Sequence, residues 1–281
     1  MPGRAPKRIF RAAVISLAFG FFFYQPVEDL PYQSEQRIGK TIAADSGPEI
    51  AESYAIAKRL LYGEVFAGRR ETLYCGCRFD AERVPDLAAC GYVSRGNPER
   101  AGRIEAEHVV PASWIGQTRR CWREPVCQDG KGRRFKGRDC CERIDPEYRR
   151  AYNDLHNLWP TVGEVNAQRR NYRFGMIAGE AREFGRCDFE VDHASRRVEP
   201  RPEVRGDVAR ISLYMERFHG VRLSDGQRRL FQSWDQADPP DDFERERNGR
   251  IRSLQGSGNP FVEDHGRLAT ATAPRTPERL N

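Results

Sequence analysis

The sequence predicts an α+β domain in which helices outnumber strands and disulfides supplement a modest core. Three observations predict it: several stretches with apolar residues every three to four positions, a few short strand-like runs between turn residues, and eight cysteines behind an export-like leader. Residues 1–24 carry Arg4, Lys7, Arg8 and Arg11 with no acid, followed by the apolar run AAVISLAFGFFFY at 12–24. Thirteen residues of helix reach roughly 20 Å, short of a ~30 Å hydrocarbon core. The segment therefore reads as a signal peptide or, since no small-x-small cleavage site follows, as an uncleaved tilted anchor. Residues 25–48 read as a polar linker, 49–262 as one domain, and 263–281, rich in Thr, Ala, Pro and Arg, as a disordered tail.

Within the domain, Ile50, Tyr54, Ala57, Leu61 and Val65 share one helical face. Residues 73–79 and 103–110 look like short strands, with Gly91 and Gly96-Asn97-Pro98 marking turns between them. Residues 119–138 contain Gly130, Gly132 and Gly137, show no period, and read as a loop pinned by cysteines. Helices are expected over 146–155 and 161–170, the second preceded by Pro160. A strand is expected over 187–191 and a longer helix over 203–218. Ser224 is placed to cap a further helix that buries Leu230, Phe231 and Trp234. No internal repeat is present.

The chain of 281 residues has 47 Lys plus Arg against 41 Asp plus Glu, for a formal charge of +6. A charged fraction of 31% and a mean hydropathy of −0.75 exclude a polytopic membrane protein, and 38% hydrophobic with 10% aromatic residues excludes a wholly disordered chain. The charge is unevenly placed. The leader holds +4, and residues 119–138 hold eight cations against Glu124 and Asp129, a local +6. An even cysteine count behind a leader implies disulfides, with 105 pairings open for eight cysteines. Zinc is the rival reading, but Cys75-Gly-Cys77 and the doublet Cys140-Cys141 lack the usual C-x₂₋₄-C spacing.

Chemistry-bearing residues fall in two clusters flanking the basic segment. Glu107-His108-Val109-Val110-Pro111 ends a strand, and Asp154-Leu155-His156-Asn157-Leu158-Trp159-Pro160 is followed by Gly163-Glu164-Val165-Asn166. Consecutive strand residues point to opposite faces, so Glu107 and His108 serve one site only if the chain bends at Pro111 or the site wraps the strand's edge. A strand with His and Glu, a loop, and a helix with Asn is the layout of a ββα-metal (His-Me finger) nuclease. Phosphodiester hydrolysis needs a base, which neutral imidazole supplies, and a cation for the phosphorane charge, which carboxylate and amide oxygens hold.

The series RIEAEHVVPAS, DLHNLWP, GEVNAQRRNYRF and GSGNPFV, in this order, resembles the endonuclease I family of exported bacterial nucleases, as do LYCGC, ACGY, QTRRCW and GRC around the cysteines. The resemblance spans residues 50–262. It implies a ββα-metal core within a mostly helical, disulfide-stabilised single domain, and a monomeric periplasmic or secreted endonuclease with no stable protein partner. The expected activity is non-specific cleavage of DNA, and of RNA as well, leaving 5′-phosphate ends. By the same resemblance His108 is the general base, Glu107 and Asn166 hold one Mg²⁺ (Mn²⁺ or Ca²⁺ being substitutes), and Arg138, or else Arg133 or Arg134, stabilises the phosphate in the transition state. His156 and Asn157 are expected to support the site from behind.

The chain departs from the family pattern at Ala106, where the family usually has Trp, and at Tyr152, where it often has an acid. Two C-terminal cysteines are missing, and Cys127 with Cys140-Cys141 places at least one bridge in the basic segment. That segment is expected to grip phosphates through Arg119, Arg120, Lys131, Arg133, Arg134 and Lys136, with Trp122 as a base-stacking platform. Trp114, Trp159 and Trp234 are expected in the core, and His193, His219 and His265 in surface or packing positions. The rivals to a nuclease are a non-catalytic nucleic-acid-binding protein for DNA uptake and a disulfide-stabilised surface module.

Overall fold

The computed structural model describes residues 50–179 and 181–265. The leader, the whole linker and residues 266–281 lie outside them, and so do the expectations for those segments. Among the described residues no helix is long and apolar enough to cross a membrane. The architecture is α+β, with a mainly helical shell around small sheets.

The chain enters through α1 (Tyr54–Leu60), capped by the Ser53 hydroxyl, which accepts from the Ile56 amide. A π-turn (Leu61–Val65) continues it, and Ala57, Leu61 and Val65 are buried as their spacing requires. The expected strand at 73–79 is a turn instead. Gly76 takes φ +63°, with a lone bridge between Glu71 and Arg78. The reason lies in the disulfides: Cys75 bonds Cys187 while Cys77 bonds Cys90, and two bonds in different directions from a three-residue segment require a bend.

After the short α2 (Pro98–Ala101), β1 (Ile104–His108) runs into α3 (Ala112–Gly116). The basic segment is more ordered than expected. It forms α4 (Arg120–Arg123) and a hairpin of β2 (Cys127–Gln128) with β3 (Arg134–Phe135). It then enters α5 (Arg138–Ile144), to which Cys121–Cys141 and Cys127–Cys140 bolt it. Its glycines supply turns inside a stapled subdomain rather than a free loop. All eight cysteines are paired, as disulfides rather than zinc ligands require.

α6 (Pro146–Asn153) leads through a 3₁₀ turn (Leu155–Asn157) into β4 (Leu158–Val162) and α7 (Gly163–Arg169). The helix expected over 161–170 thus begins two residues late. Thr161 belongs to a fully buried strand, which pairs antiparallel with β1 in the register Glu107↔Trp159 and His108↔Leu158. Gly163 is required at the turn between them, because a Cβ there would lie 2.5 Å from the Arg100 carbonyl oxygen.

The rest of the chain forms a buttress. β5 (Arg173–Phe174), β6 (Phe189–Asp192) and β7 (Arg197–Pro200) make a sheet in the order β5-β7-β6. The strand expected from Cys187 starts two residues later because that cysteine turns to reach Cys75. α8 (Arg205–His219) packs along α9 (Asp225–Ala237), capped by Ser224 as expected, and α10 (Asp242–Gln255) and α11 (Pro260–Glu263) close the fold. The expected tail boundary at 263 falls inside α11. α10 was not anticipated, since it buries charge rather than an apolar stripe: its Arg247 donates to the carbonyls of Leu155, His156 and Leu158 at 2.9, 3.1 and 3.0 Å. That one guanidinium holds the turn between the two strands of the site. Trp159 and Trp234 are in the core, whereas Trp114 and Trp122 are only partly buried.

Candidate active site

Among the described residues β1 has a partner strand on one side only, so its other edge is free of strand pairing there. Along that edge lies a cavity of about 720 Å³ lined by five consecutive residues, Ile104 to His108. This geometry answers the problem of opposed faces. Glu107 and His108 both reach the cavity because it wraps the free edge, and no bend between them is needed. Asn166, on α7, comes to the same cavity from the helix that follows β4, and Arg138 reaches it from the first turn of α5.

Glu107 is buried, with Oε1 accepting from the Tyr74 hydroxyl at 2.9 Å and lying 3.2 Å from Arg169 Nε. Oε2 has no hydrogen-bond donor among the described residues and is not among the sealed, unpartnered atoms, so it faces the cavity. Burial pushes the carboxyl pKa up to about 7 against the lowering effects of Arg169 and Tyr74. Arg169, itself buried, also donates to the Val109 carbonyl and lies over Phe174.

His108 Nε2 lies 2.8 Å from the Tyr152 carbonyl oxygen. A carbonyl can only accept, so Nε2 carries the proton and Nδ1 holds the lone pair. Burial drives the imidazole pKa down to about 3, with Arg138 and Arg169 pushing the same way and the Tyr152 carbonyl opposing, so the ring is neutral at neutral pH. The Tyr152 ring stacks on it at 4.4 Å and 15°. Tyr152 thus serves as a platform and carbonyl acceptor where a carboxylate was looked for.

Asn166 donates from its amide nitrogen to Glu105 Oε2 at 3.0 Å, which leaves its Oδ1 directed elsewhere. Glu105 is in turn held by Arg100 at 2.7 and 2.9 Å and by Arg103 at 3.1 Å. Glu105 was not singled out from the sequence, although its position two before Glu107 on a strand places it on the same face.

Behind the site, Asn157 clamps Val110. Its Oδ1 accepts from the Val110 amide at 2.7 Å and its Nδ2 donates to the Val110 carbonyl at 3.0 Å. His156 is buried, bonded to the Ser257 carbonyl at 3.2 Å, and does not line the cavity. Asp154 gathers Tyr214, His219 and Gln255 at 2.9, 2.7 and 3.0 Å, and these contacts hold its carboxyl well below the usual range despite burial. His219 is therefore a buried partner of Asp154, a packing role. His265 bonds the Asp235 carbonyl at 2.9 Å, and His193 meets the Tyr172 hydroxyl at 3.2 Å.

Three of the eight cations in the basic segment are paired with carboxylates. Arg119 pairs with Asp145 and Glu147, Arg120 with Glu124, and Arg133 with Asp129. Arg134 donates to the Pro125 carbonyl and Lys136 to that of Arg123, while Lys131 is exposed near the hairpin tip. Of the residues expected to touch nucleic acid in this segment, Trp122 and Arg138 line the cavity; Arg133 and Arg134 do not. The other cations on the wall come from elsewhere in sequence, notably Lys58, Arg83, Arg103 and Arg170. No local run signals them, which is why sequence reading passed over them.

Glu107 Oε2 and Asn166 are oxygen donors of the kind a hard divalent cation takes, and a carboxylate raised to about 7 by burial lacks sufficient positive charge beside it. Among the described residues no group of three or more His, Cys, Asp and Glu side chains is arranged to hold a metal ion.

A neutral imidazole, a buried carboxylate and a cationic rim suit the hydrolysis of an anionic ester. Comparison with known proteins places the chain in that class. The Endonuclease I family model matches residues 66–266. An extracellular deoxyribonuclease of Aeromonas hydrophila is 40% identical over 226 residues, covering 79% of this chain and 93% of its own. A periplasmic deoxyribonuclease of the same organism is 41% identical over 217 residues, covering 76% and 86%. Endonuclease-1 of Buchnera aphidicola subsp. Acyrthosiphon pisum is 38% identical over 197 residues, covering 69% and 74%. The chain belongs to the endonuclease I family, and it is a nuclease, a hydrolase of phosphodiester bonds.

Proposed function

We propose that this nuclease is an exported, non-specific endonuclease of DNA, and of RNA as well, that leaves 5′-phosphate ends with one Mg²⁺ held by Glu107 and Asn166. The observation that carries the site assignment is the meeting of Glu107, His108 and Asn166 in one cavity along the free edge of β1. β1, β4 and α7 then correspond to the strand-strand-helix unit of the ββα-metal class. When bound, the cation supplies charge for the phosphorane and the departing oxygen, Mn²⁺ or Ca²⁺ being able to stand in. His108 Nδ1 takes a proton from the water that attacks phosphorus in line, while the Tyr152 carbonyl keeps the ring in the right tautomer. Arg138, which lines the same cavity, adds positive charge there. Tyr74 and Arg169 fix the Glu107 carboxylate, and Glu105 fixes the Asn166 amide. Export is supported by four disulfides, which persist in oxidising compartments, and by the extracellular and periplasmic names of the relatives.

Plasmid digestion tests the reading. The wild type should nick and linearise DNA with Mg²⁺ and stop in EDTA, and His108→Ala should lose at least about a hundredfold in rate while keeping its fold. Full activity of His108→Ala, or activity that survives EDTA, would overturn the mechanism. Direct ligation of the products, without kinase treatment, checks the 5′-phosphate ends.

A further inference from the structure

Beyond the catalytic cavity, on the far side of α3, lies a second hollow of about 550 Å³. It is within the ~300–1,000 Å³ range of ligand sites. Trp122 and Ser113 line both spaces, so one continues into the other across the indole. That indole is held rigidly. A Cβ on Gly116 would sit 2.1 Å from a ring carbon, Tyr148 lies 6.0 Å away, and the neighbouring Cys121 is bonded to Cys141. Trp114 adds a second indole to the hollow, and no Asp or Glu lines it.

Arg173 and Arg196 have no carboxylate partner among the described residues, unlike Arg119, Arg120 and Arg133 of the basic segment. Arg196 lies 5.5 Å from the centre of the Tyr172 ring and donates to Asn171 Oδ1 at 3.3 Å. Arg170 lies 5.7 Å from the centre of the same ring and lines the catalytic cavity. A row of guanidinium groups without acids therefore runs from the catalytic cavity into the second hollow, beside two partly exposed indoles. Indoles offer stacking faces to any base, and guanidinium groups take phosphate oxygens in pairs.

We infer that this hollow is a second nucleotide subsite, which takes a nucleotide of the cleaved strand next to the scissile phosphate. The base stacks on Trp122 and Trp114, and its phosphate lies on Arg173 and Arg196. The assignment rests on the catalytic reading of the first cavity, but its test does not depend on cleavage. A fluorescein-labelled ten-nucleotide thymidylate strand is titrated in EDTA against the wild type and against Arg173→Ala/Arg196→Ala, at several salt concentrations. The lost phosphate contact should weaken binding roughly tenfold and reduce the slope of log affinity against log salt by about 0.7. Arg173→Lys/Arg196→Lys, which keeps the charges, should retain that slope. Unchanged affinity, or weaker binding with an unchanged slope, overturns the subsite. Wild-type thermal unfolding in both variants separates a lost contact from a lost fold. His108→Ala in the plasmid assay judges the catalytic cavity independently.

Discussion

Removing the Cys75–Cys187 bridge should destabilise the protein by about 5 kcal/mol, about 2 kcal/mol more than removing Cys77–Cys90. The two bridges leave the same turn but close very different loops, with sequence separations of 112 and 13 residues. In the chain-entropy relation the loss grows with the logarithm of loop length, which yields about 5 and about 3 kcal/mol at 25 °C. The comparison is well matched, because each bridge joins one buried and one half-buried cysteine, so truncation to alanine removes similar burial from both. The longer bridge also stands next to the site, since Tyr74, which donates to Glu107, precedes Cys75. Urea unfolding of Cys75→Ala/Cys187→Ala and Cys77→Ala/Cys90→Ala, followed by circular dichroism, measures the difference. The first variant should also lose nuclease activity at a lower temperature than the second. Equal losses, or a larger loss for the short loop, would refute the loop-closure reasoning.

Three further outcomes follow from contacts at the site. Glu105→Ala frees the Asn166 amide and should lower kcat about 10- to 100-fold while raising the Mg²⁺ concentration needed for half-activity, whereas Glu105→Gln, which keeps an acceptor oxygen, should recover most of the loss. Asn157→Ala leaves the buried Val110 amide and carbonyl unpartnered and should cost about 3 kcal/mol, seen as a drop of about 10 °C in melting temperature. His156 has its pKa pushed down to about 4 by burial, against the opposing charge of Asp154 and with Arg247 and His219 acting in the same direction as burial. With an unfolded value near 6.5, the unfolded chain binds more protons between those limits, so stability should fall as pH drops from about 6.5 to about 4. His156→Gln should flatten that slope by about one proton in acid-titrated urea unfolding; an unchanged slope would place the titration elsewhere.

The candidate site was legible where chemistry sits in short contiguous strings. Glu107, His108 and Asn166 were named from their residue types and from the family resemblance, and the structure brings all three to one cavity. Amphipathic periodicity located α1, α8 and α9, and helix start signals located α6, within a few residues. α10 escaped because its inward face carries Arg247 and Glu244, whose burial is satisfied by backbone carbonyls and by Arg210. Periodicity of apolar residues does not register such a face. Tyr74, Glu105 and Arg169 were missed because each holds a residue of another element, Tyr74 and Arg169 the Glu107 carboxylate and Glu105 the Asn166 amide.

The +6 strip shows where sequence reading stops. Its charge is a property of the string, but its availability depends on acids that folding brings alongside, such as Asp145 and Glu147 beside Arg119. Arg170, Arg173 and Arg196, which have no acid partner among the described residues, are scattered in sequence and gathered by Tyr172 and the β5-β7 pairing. What the sequence by itself determined was the chemistry available: a candidate base, candidate oxygen donors, the cysteines and the family they belong to. What the tertiary structure decided was access. Pairing β1 on one side only lets two neighbouring side chains of opposite direction open into a single cavity, and ion-pair geometry, which depends on distance rather than composition, selected the cations that remain to meet a phosphate.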